Sequence, residues 1–183
     1  MLITMNHPQL MIESDIITTA LLEDQLYDIL CAKIGGSQDR FTLNRIYSSR
    51  LYGIHGREFH ICCDDTEYPS ITLIRSKVYK KIFGGYTTVS WRANSVASQD
   101  KVDPFSFLFT FSEQYRGYEM SHKDRMHNVK SNIFELHGLS NDYNMEVIRC
   151  IPKKGPTFGI GCDLHITEDG KKCYSSPDSY DIP

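Results

Sequence analysis

Seven histidines and six cysteines are the residues of this 183-residue chain that could carry metal or nucleophilic chemistry. His60 follows His55 by five positions and precedes Asp64 by four, so His60 and Asp64 would share one face of a helix. A metal site needs a third ligand at a compatible spacing, and the sequence offers no obvious one. Surface or capping histidines are the simpler interpretation. We therefore expect neither a metal nor another cofactor.

The cysteines do not suggest disulfides or catalysis. They are Cys31, Cys62, Cys63, Cys150, Cys162 and Cys173. No pair has zinc-knuckle spacing, and Met1–His7 lacks the features of a secretory signal, so reduced thiols and a cytoplasmic location are expected. A nucleophilic thiol needs a lowered pKa, whereas the carboxylates of Asp64 and Asp65 beside Cys63 disfavour a thiolate. With no G-x-S-x-G motif either, the sequence predicts no enzyme activity, and a cysteine-based redox protein is the alternative.

Two other segments could bind anions. The segment Gly155–Gly161 contains G-x-G, but the strand-like alternation of Cys162–Ile166 follows it where a phosphate loop would require a helix. These glycines are therefore predicted to be structural. The segment Lys77–Lys81 carries three lysines beside a tyrosine, and it could contact an acidic partner or lipid head groups. The simpler interpretation is a solvated strand face.

Composition predicts one globular domain. The 20 Lys+Arg against 23 Asp+Glu give a formal charge of −3, which argues against a nucleic-acid binder. No apolar run is long enough to cross a membrane as a helix. The 11 Tyr, 9 Phe and one Trp need a core in which to be buried, which argues against disorder.

Hydrophobic periodicity predicts one long helix and then several short strands. The helix is capped by Ser14 and runs to about Lys33. Residues 93–103 are predicted to form a loop and residues 113–132 an exposed connection. The predicted strands are Phe41–Tyr47, Ile71–Arg75, Lys81–Thr87, Phe105–Phe111, Asn144–Ile151 and Phe158–Ile166. This order predicts an α+β fold, a β-sandwich of two antiparallel sheets flanked by short helices.

Several motifs, in this order, resemble the TLDc domain in versions common among single-celled eukaryotes. They are Ser14-x-Ile16-Ile17, Phe41 to Tyr47, Phe59-His60-x-x-Cys63-Asp64, Thr72-Leu73-Ile74, Ile82-Phe83-Gly84-Gly85-Tyr86-Thr87 with Trp91 after it, Phe105-Ser106-Phe107-Leu108-Phe109, and Gly155-Pro156-Thr157-Phe158-Gly159-x-Gly161-x-Asp163-Leu164-x-Ile166. The resemblance covers residues 14 to 180. Residues 1–13 are then an N-terminal lead and residues 14–183 a TLDc-like domain.

The resemblance implies a protein-interaction module linked to protection from oxidative damage. Its implied partners are subunits of the vacuolar proton-pumping ATPase (V-ATPase), and no catalytic residues come with it. We expect partner contacts in loops, at Lys153, Lys154 and the Asn94–Asp103 loop. The motif residues expected to serve the scaffold are Gly84, Gly85, Tyr86, Trp91, Phe107, Phe109, Gly155, Phe158, Gly159, Gly161 and Asp163.

Two departures from the family pattern bear on these expectations. Val102-Asp103-Pro104 stands where relatives approach the Phe105 strand through small, glycine-bearing residues. Relatives also continue beyond the Ser179-Tyr180 position into a final strand, which we expect to be missing here. A sheet edge left without that strand would favour association, so a structural subunit of a larger assembly is a further alternative.

Overall fold

The structure is a computed structural model, and it describes residues 10–35, 40–93, 97–113, 121–130, 132–134, 148–159 and 162–174. The chain divides into two compact units. Unit 1 comprises residues 1–45, 75–82 and 109–133. Unit 2 comprises residues 46–74, 83–108 and 134–183.

The described residues form four helices and eleven strands. The helices are α1 (Ala20–Lys33), α2 (Ser49–Tyr52), α3 (Gly56–Cys63) and α4 (His122–Lys130). The strands are β1 (Leu10–Ile12), β2 (Phe41–Leu43), β3 (Ser70–Arg75), β4 (Ile82–Thr87), β5 (Gln99–Lys101), β6 (Phe107–Thr110), β7 (Ile133–Phe134), β8 (Ile148–Cys150), β9 (Thr157–Phe158), β10 (Leu164–Ile166) and β11 (Cys173–Tyr174). Within the described ranges, no helix is long and apolar enough to cross a membrane.

Strand pairing confirms the predicted α+β class. A five-stranded sheet has the order β11-β10-β9-β8-β5, and each of its pairs is antiparallel, as where Gln99 lies opposite Cys150. A four-stranded sheet has the order β3-β4-β6-β7. The remaining pair, β1 and β2, is parallel, with Leu10 opposite Phe41.

The core of unit 2 is aromatic and takes side chains from both larger sheets, as a sandwich requires. Trp91 is only 2% exposed, and its ring centroid lies 5.4 Å from those of Phe59 and Phe158 in edge-to-face contacts. Its indole nitrogen donates to Ser70 Oγ at 3.1 Å. Such aromatic pairs add about 0.5–1.5 kcal/mol beyond the burial of their area. The buried members of this cluster are Phe59, Cys63, Trp91, Leu108, Ile148, Cys150, Phe158 and Leu164.

A buried carboxylate holds the approach to β6. Asp103 is 0% exposed, and its Oδ2 accepts hydrogen bonds from Thr87 Oγ1 (2.6 Å) and Thr88 N (2.7 Å). Its Oδ1 accepts from Thr88 Oγ1 (2.7 Å) and Phe105 N (3.2 Å). Burying a carboxylate is costly unless donors surround it, and here four donors do so. Asp103 therefore ties the end of β4 to the turn that leads into β6.

Unit 1 contains α1 and α4, which are joined by a largely buried ion pair. Both nitrogens of the Arg125 guanidinium that face α1 donate to Asp28, whose side chain is 1% exposed. Such a two-pronged pair fixes orientation as well as distance. The amide of Gln25 also bridges the backbone of Ser112, donating to its carbonyl (3.2 Å) and accepting from its N–H (2.6 Å).

The predicted start of the first helix is wrong. Ser14 Oγ does accept from the backbone N–H groups of Ile16 (3.0 Å) and Ile17 (3.1 Å), but the helix begins at Ala20 with Thr19 as its N-cap. The β-branched run from Ile16 to Thr19 explains the delay, because such side chains disfavour the helix and the Ser14 hydroxyl stabilises a local turn instead.

Four other element predictions need correction. The predicted strand Phe105–Phe111 would place Phe105 on the same side as Phe107, Phe109 and Phe111, because side chains alternate along a strand. Instead, Phe105 precedes β6 and is 70% exposed, whereas the other three are buried. The hydrogen bond from its N–H to Asp103 holds it in the turn. The predicted loop at residues 93–103 contains β5, and the predicted connection at residues 113–132 contains α4. The single strand predicted at Phe158–Ile166 is two strands, β9 and β10.

Candidate functional site

Three chain segments of unit 2 meet at the first turn of α3. The backbone N–H of Gly56 donates to Glu168 O at 2.9 Å. A Cβ on Gly56 would lie 2.1 Å from Lys153 O, and a Cβ on Gly170 would lie 2.0 Å from Ile54 O. Only glycine allows backbones to approach so closely. The loop before α3, the β8–β9 turn and the β10–β11 turn are therefore locked together.

These three segments enclose a cleft of about 270 Å³, which we call the charged cleft. It is lined by His55, Arg57, Glu58, Lys153 and Glu168. Two of these residues are cations, two are carboxylates and one is an imidazole. A ligand that fits such a lining carries charges or hydrogen-bonding groups of both kinds, as the surface of a protein does.

The strongest indication of a ligand in the charged cleft comes from Glu58. Its Oε2 atom is buried and has no hydrogen-bond partner among the described residues. An acceptor left unpaired away from water costs about 1–3 kcal/mol. The neighbouring Tyr47 does not relieve this, because its hydroxyl donates to Gly53 O at 2.7 Å. Burial, followed by nearby ionisable groups that include Glu58, raises the pKa of Tyr47 to about 12, so this phenol stays a donor.

The two lysines predicted to contact a partner have different settings. Lys153 is exposed, lines the charged cleft and has a left-handed backbone (φ 72°), which the tight β8–β9 turn requires. Lys154 is half-buried beside β10. Burial, with a smaller contribution from the charge of Lys154, lowers the pKa of His165 below its usual 6.5. The partner-contact role of both lysines stays a prediction.

The histidine–aspartate pair of α3 makes a structural bridge. His60 Nδ1 lies 2.6 Å from Asp64 Oδ1, and its Nε2 lies 3.0 Å from Ile151 O. Both ring nitrogens are thus engaged, which leaves neither for a metal. Among the described residues, no group of three or more His, Cys, Asp or Glu side chains could hold a metal ion.

The cysteines of the unit 2 core are poor nucleophiles. Burial, followed by Cys62 and Asp64, raises the pKa of Cys63 to about 12. Burial also raises the pKa of Cys150 to about 11, against a smaller lowering by Lys101. Since the thiolate is the reactive form, neither thiol is activated.

Three of the motif glycines expected to serve the scaffold have very close neighbours, and their scaffold role stays a prediction. A Cβ on Gly85 would lie 2.5 Å from the Phe158 ring, and one on Gly155 would lie 2.8 Å from Ile166 Cβ. Gly159 has φ 83° and packs against the buried carboxylate of Asp163. Gly84 is also buried, in β4.

The aromatic motif residues are buried in both units. In unit 2, the rings of Tyr86 and Phe107 stack with centroids 5.1 Å apart. In unit 1, the ring centroids of Phe109 and Phe111 lie 6.0 Å apart. Gly161 and part of the Asn94–Asp103 loop lie outside the described residues.

Sequence reasoning missed the residues that build the charged cleft. Gly56 and Glu58 are far from Lys153 in sequence, and no spacing rule connects them with Lys153 or Glu168. It also missed the role of Asp103, although an Asp-Pro pair favours the start of a turn.

Replacement of Gly56 by alanine tests the close approach of its backbone to the Lys153 carbonyl. We expect Gly56→Ala to lower the free energy of unfolding by about 1–3 kcal/mol, because its Cβ would overlap the Lys153 carbonyl. Chemical denaturation at constant m-value measures the change. Ala97→Gly, at an exposed position, is the control. It measures how much an exchange between alanine and glycine changes the stability at a site away from this contact. An unchanged or increased stability of Gly56→Ala would contradict the close contact.

The buried His165 predicts a pH-dependent stability. Its folded-state pKa lies below the unfolded value of about 6.5, so the unfolded chain takes up its proton first as the pH falls. The contribution of His165 is complete above pH 6.5 and is lost as the pH falls below that value. We expect His165→Gln to show a smaller fall in Tm than the unsubstituted protein between pH 7 and pH 5. Equal falls would show that His165 does not titrate as proposed.

The fold defined by these observations is an α+β domain with antiparallel sheets and a glycine-bearing aromatic core. The family model of the TLDc domain matches residues 11–182. The chain therefore belongs to the TLDc domain family, as its motifs indicated. No curated protein matches it at a significant level.

Proposed function

We propose that this chain is a non-catalytic protein-interaction module of the TLDc type and that the charged cleft binds its partner. The observation that carries the proposal is the buried Oε2 of Glu58, which has no hydrogen-bond partner among the described residues. An N–H group or an ammonium from a partner would satisfy this atom and recover the cost of its burial. Arg57 and Lys153 would meet acidic groups around it.

The proposed partner is the peripheral sector of the vacuolar proton-pumping ATPase, with a link to oxidative-stress protection and a cytoplasmic location. Support comes from membership of the TLDc family, whose model matches residues 11–182. The roles themselves are what the resemblance to that family implies. A mixed-charge cleft suits a protein partner, since such interfaces combine complementary charges with hydrogen bonds.

The test measures the affinity of the purified peripheral sector for four forms of this protein. We expect Glu58→Gln and the double variant Arg57→Glu, Lys153→Glu each to weaken binding at least tenfold, because each breaks a desolvated charge contact. Lys123→Glu with Lys130→Glu, on exposed positions of α4, is a control with the same change in charge. Circular dichroism checks that all forms are folded.

The possible outcomes distinguish an error in the proposed partner from an error in the proposed binding site. If the unsubstituted protein does not bind the peripheral sector, the pump is not the partner. If it binds and the cleft variants bind equally well, the charged cleft is not the site. A loss of binding by the α4 control as large as that of the cleft variants would indicate general electrostatic attraction alone.

The redox alternative makes an opposite prediction for the thiols. Because their pKa values are raised to about 12 and about 11, Cys63 and Cys150 should react with iodoacetamide at pH 8 more than about a hundredfold slower than a cysteine peptide. Peptide mass spectrometry of timed reactions measures each rate, and the denatured protein is the control. Rapid labelling of Cys63 at or below pH 7 would favour the redox protein.

A further inference from the structure

A rigid turn in unit 1 joins β3 to β4, and we call its residues, Ser76–Lys81, the hairpin tip. The backbone N–H of Ser76 donates to Lys81 O at 2.9 Å, and that of Lys80 donates to Ser76 O at 3.0 Å. Ser76 Oγ accepts from Tyr79 N at 3.2 Å. Lys80 has a left-handed backbone with φ 58°. These bonds fix the direction in which the tip presents its side chains.

The hairpin tip presents two apolar side chains to solvent. Val78 is 76% exposed and Tyr79 is 77% exposed, and the two are adjacent in sequence. Isolated exposed apolar residues are ordinary on protein surfaces. Two together at the end of a hydrogen-bonded turn form a small apolar wedge that the unit itself does not cover.

Lysines surround this wedge. Lys77 and Lys80 are exposed and have no ion-pair partner among the described residues. Lys81 pairs with Glu113 at 2.7 Å, and both side chains are at least half exposed. Three ammonium groups against one carboxylate leave the hairpin tip positively charged.

We propose that the hairpin tip binds the surface of a membrane rich in anionic lipids, with Val78 and Tyr79 inserted at the level of the head groups. Tyrosine favours this boundary, where its ring is in an apolar layer and its hydroxyl in water. Each lysine near an anionic surface strengthens binding about fivefold. An acidic protein would complement the lysines, but the outward-facing apolar pair is better matched by a bilayer, which offers negative charge above hydrocarbon. The proposal does not rest on the charged cleft.

The test is sedimentation with sucrose-loaded vesicles of phosphatidylcholine containing 0% or 30% phosphatidylserine, using the full chain. We expect binding to the anionic vesicles only and a weakening of that binding in high salt. Val78→Ser with Tyr79→Ser and, separately, Lys77→Glu with Lys80→Glu should each reduce partitioning at least tenfold.

Matched controls keep the same chemical changes away from the tip. Val102→Ser with Tyr68→Ser alters two exposed apolar residues, and Lys171→Glu with Lys172→Glu alters two exposed lysines. Both should bind as the unsubstituted protein does. Controls that lose binding as strongly as the tip variants would overturn the proposal. Absence of binding to anionic vesicles would also overturn the proposal. In that case, binding to polyglutamate that requires the lysines of the hairpin tip would indicate an acidic protein as the partner of this surface.

A fluorescent variant tests insertion directly. Tyr79→Trp places an indole at an exposed position, while the native Trp91 is 2% exposed. We expect a blue shift in emission on adding anionic vesicles and quenching by lipids brominated on their acyl chains. Binding without either change would show attraction to head groups alone and would overturn insertion of the apolar wedge.

Discussion

Asp103→Ala is expected to lower the free energy of unfolding by about 3 kcal/mol or more, a large fraction of the stability of a typical domain. The substitution removes the acceptor of four hydrogen bonds and leaves donors of Thr87 and Thr88 in a buried site. It also releases the Phe105 N–H that holds the turn before β6. Urea denaturation followed by circular dichroism measures the change.

Two variants make this prediction specific. Asp103→Asn keeps the size of the side chain and one acceptor oxygen, so we expect it to lose less stability than Asp103→Ala does. Asp65→Ala removes a carboxylate that is 87% exposed and bonds only weakly to Arg92, and its effect should lie within about 0.5 kcal/mol. A loss from Asp103→Ala no larger than that from Asp65→Ala would show that the buried network is not stabilising.

Trp91→Ala is expected to destabilise unit 2 by about 3–5 kcal/mol. The indole is 2% exposed and contacts Phe59 and Phe158, and its removal leaves a cavity among aromatic side chains that pack edge to face. It also leaves Ser70 Oγ without its donor. Thermal and chemical unfolding, monitored by far-ultraviolet circular dichroism, measure the loss.

Trp91→Phe is the matched control for this core. It keeps an aromatic ring but loses the hydrogen bond and part of the volume, so its cost should lie between zero and that of alanine. Equal costs for phenylalanine and alanine would assign the effect to the Ser70 hydrogen bond. A cost below about 1 kcal/mol for alanine would contradict the tight packing of this site.

Sequence patterns predicted the parts of the fold that depend on local periodicity. The pairing of β3 with β4 follows from two β-rich runs separated by a short connection. The burial of Phe107 and Phe109 follows from alternation, and the TLDc motifs identified the family. The start of α1 was misplaced because Ser14 and Thr19 both have the chemistry of an N-cap, and only the following β-branched run separates them.

The remaining features depend on tertiary contacts. The sequence predicts a loop at β5 because Gln99–Lys101 is polar. These residues form a strand through their pairing with β8 and the ion pair between Asp100 and Arg149, which are tertiary contacts. The charged cleft likewise joins residues 55–58 to residues 153 and 168. Its assembly depends on close backbone approaches at Gly56 and Gly170, which no spacing of charged residues predicts.

Amide hydrogen exchange with and without the purified peripheral sector of the vacuolar proton-pumping ATPase tests whether the charged cleft binds this partner. We expect slower exchange on binding in the three segments that form the charged cleft, at residues 53–58, 152–155 and 167–170, and loss of that protection in Glu58→Gln. Binding that protects other segments while exchange in these three stays unchanged would contradict it.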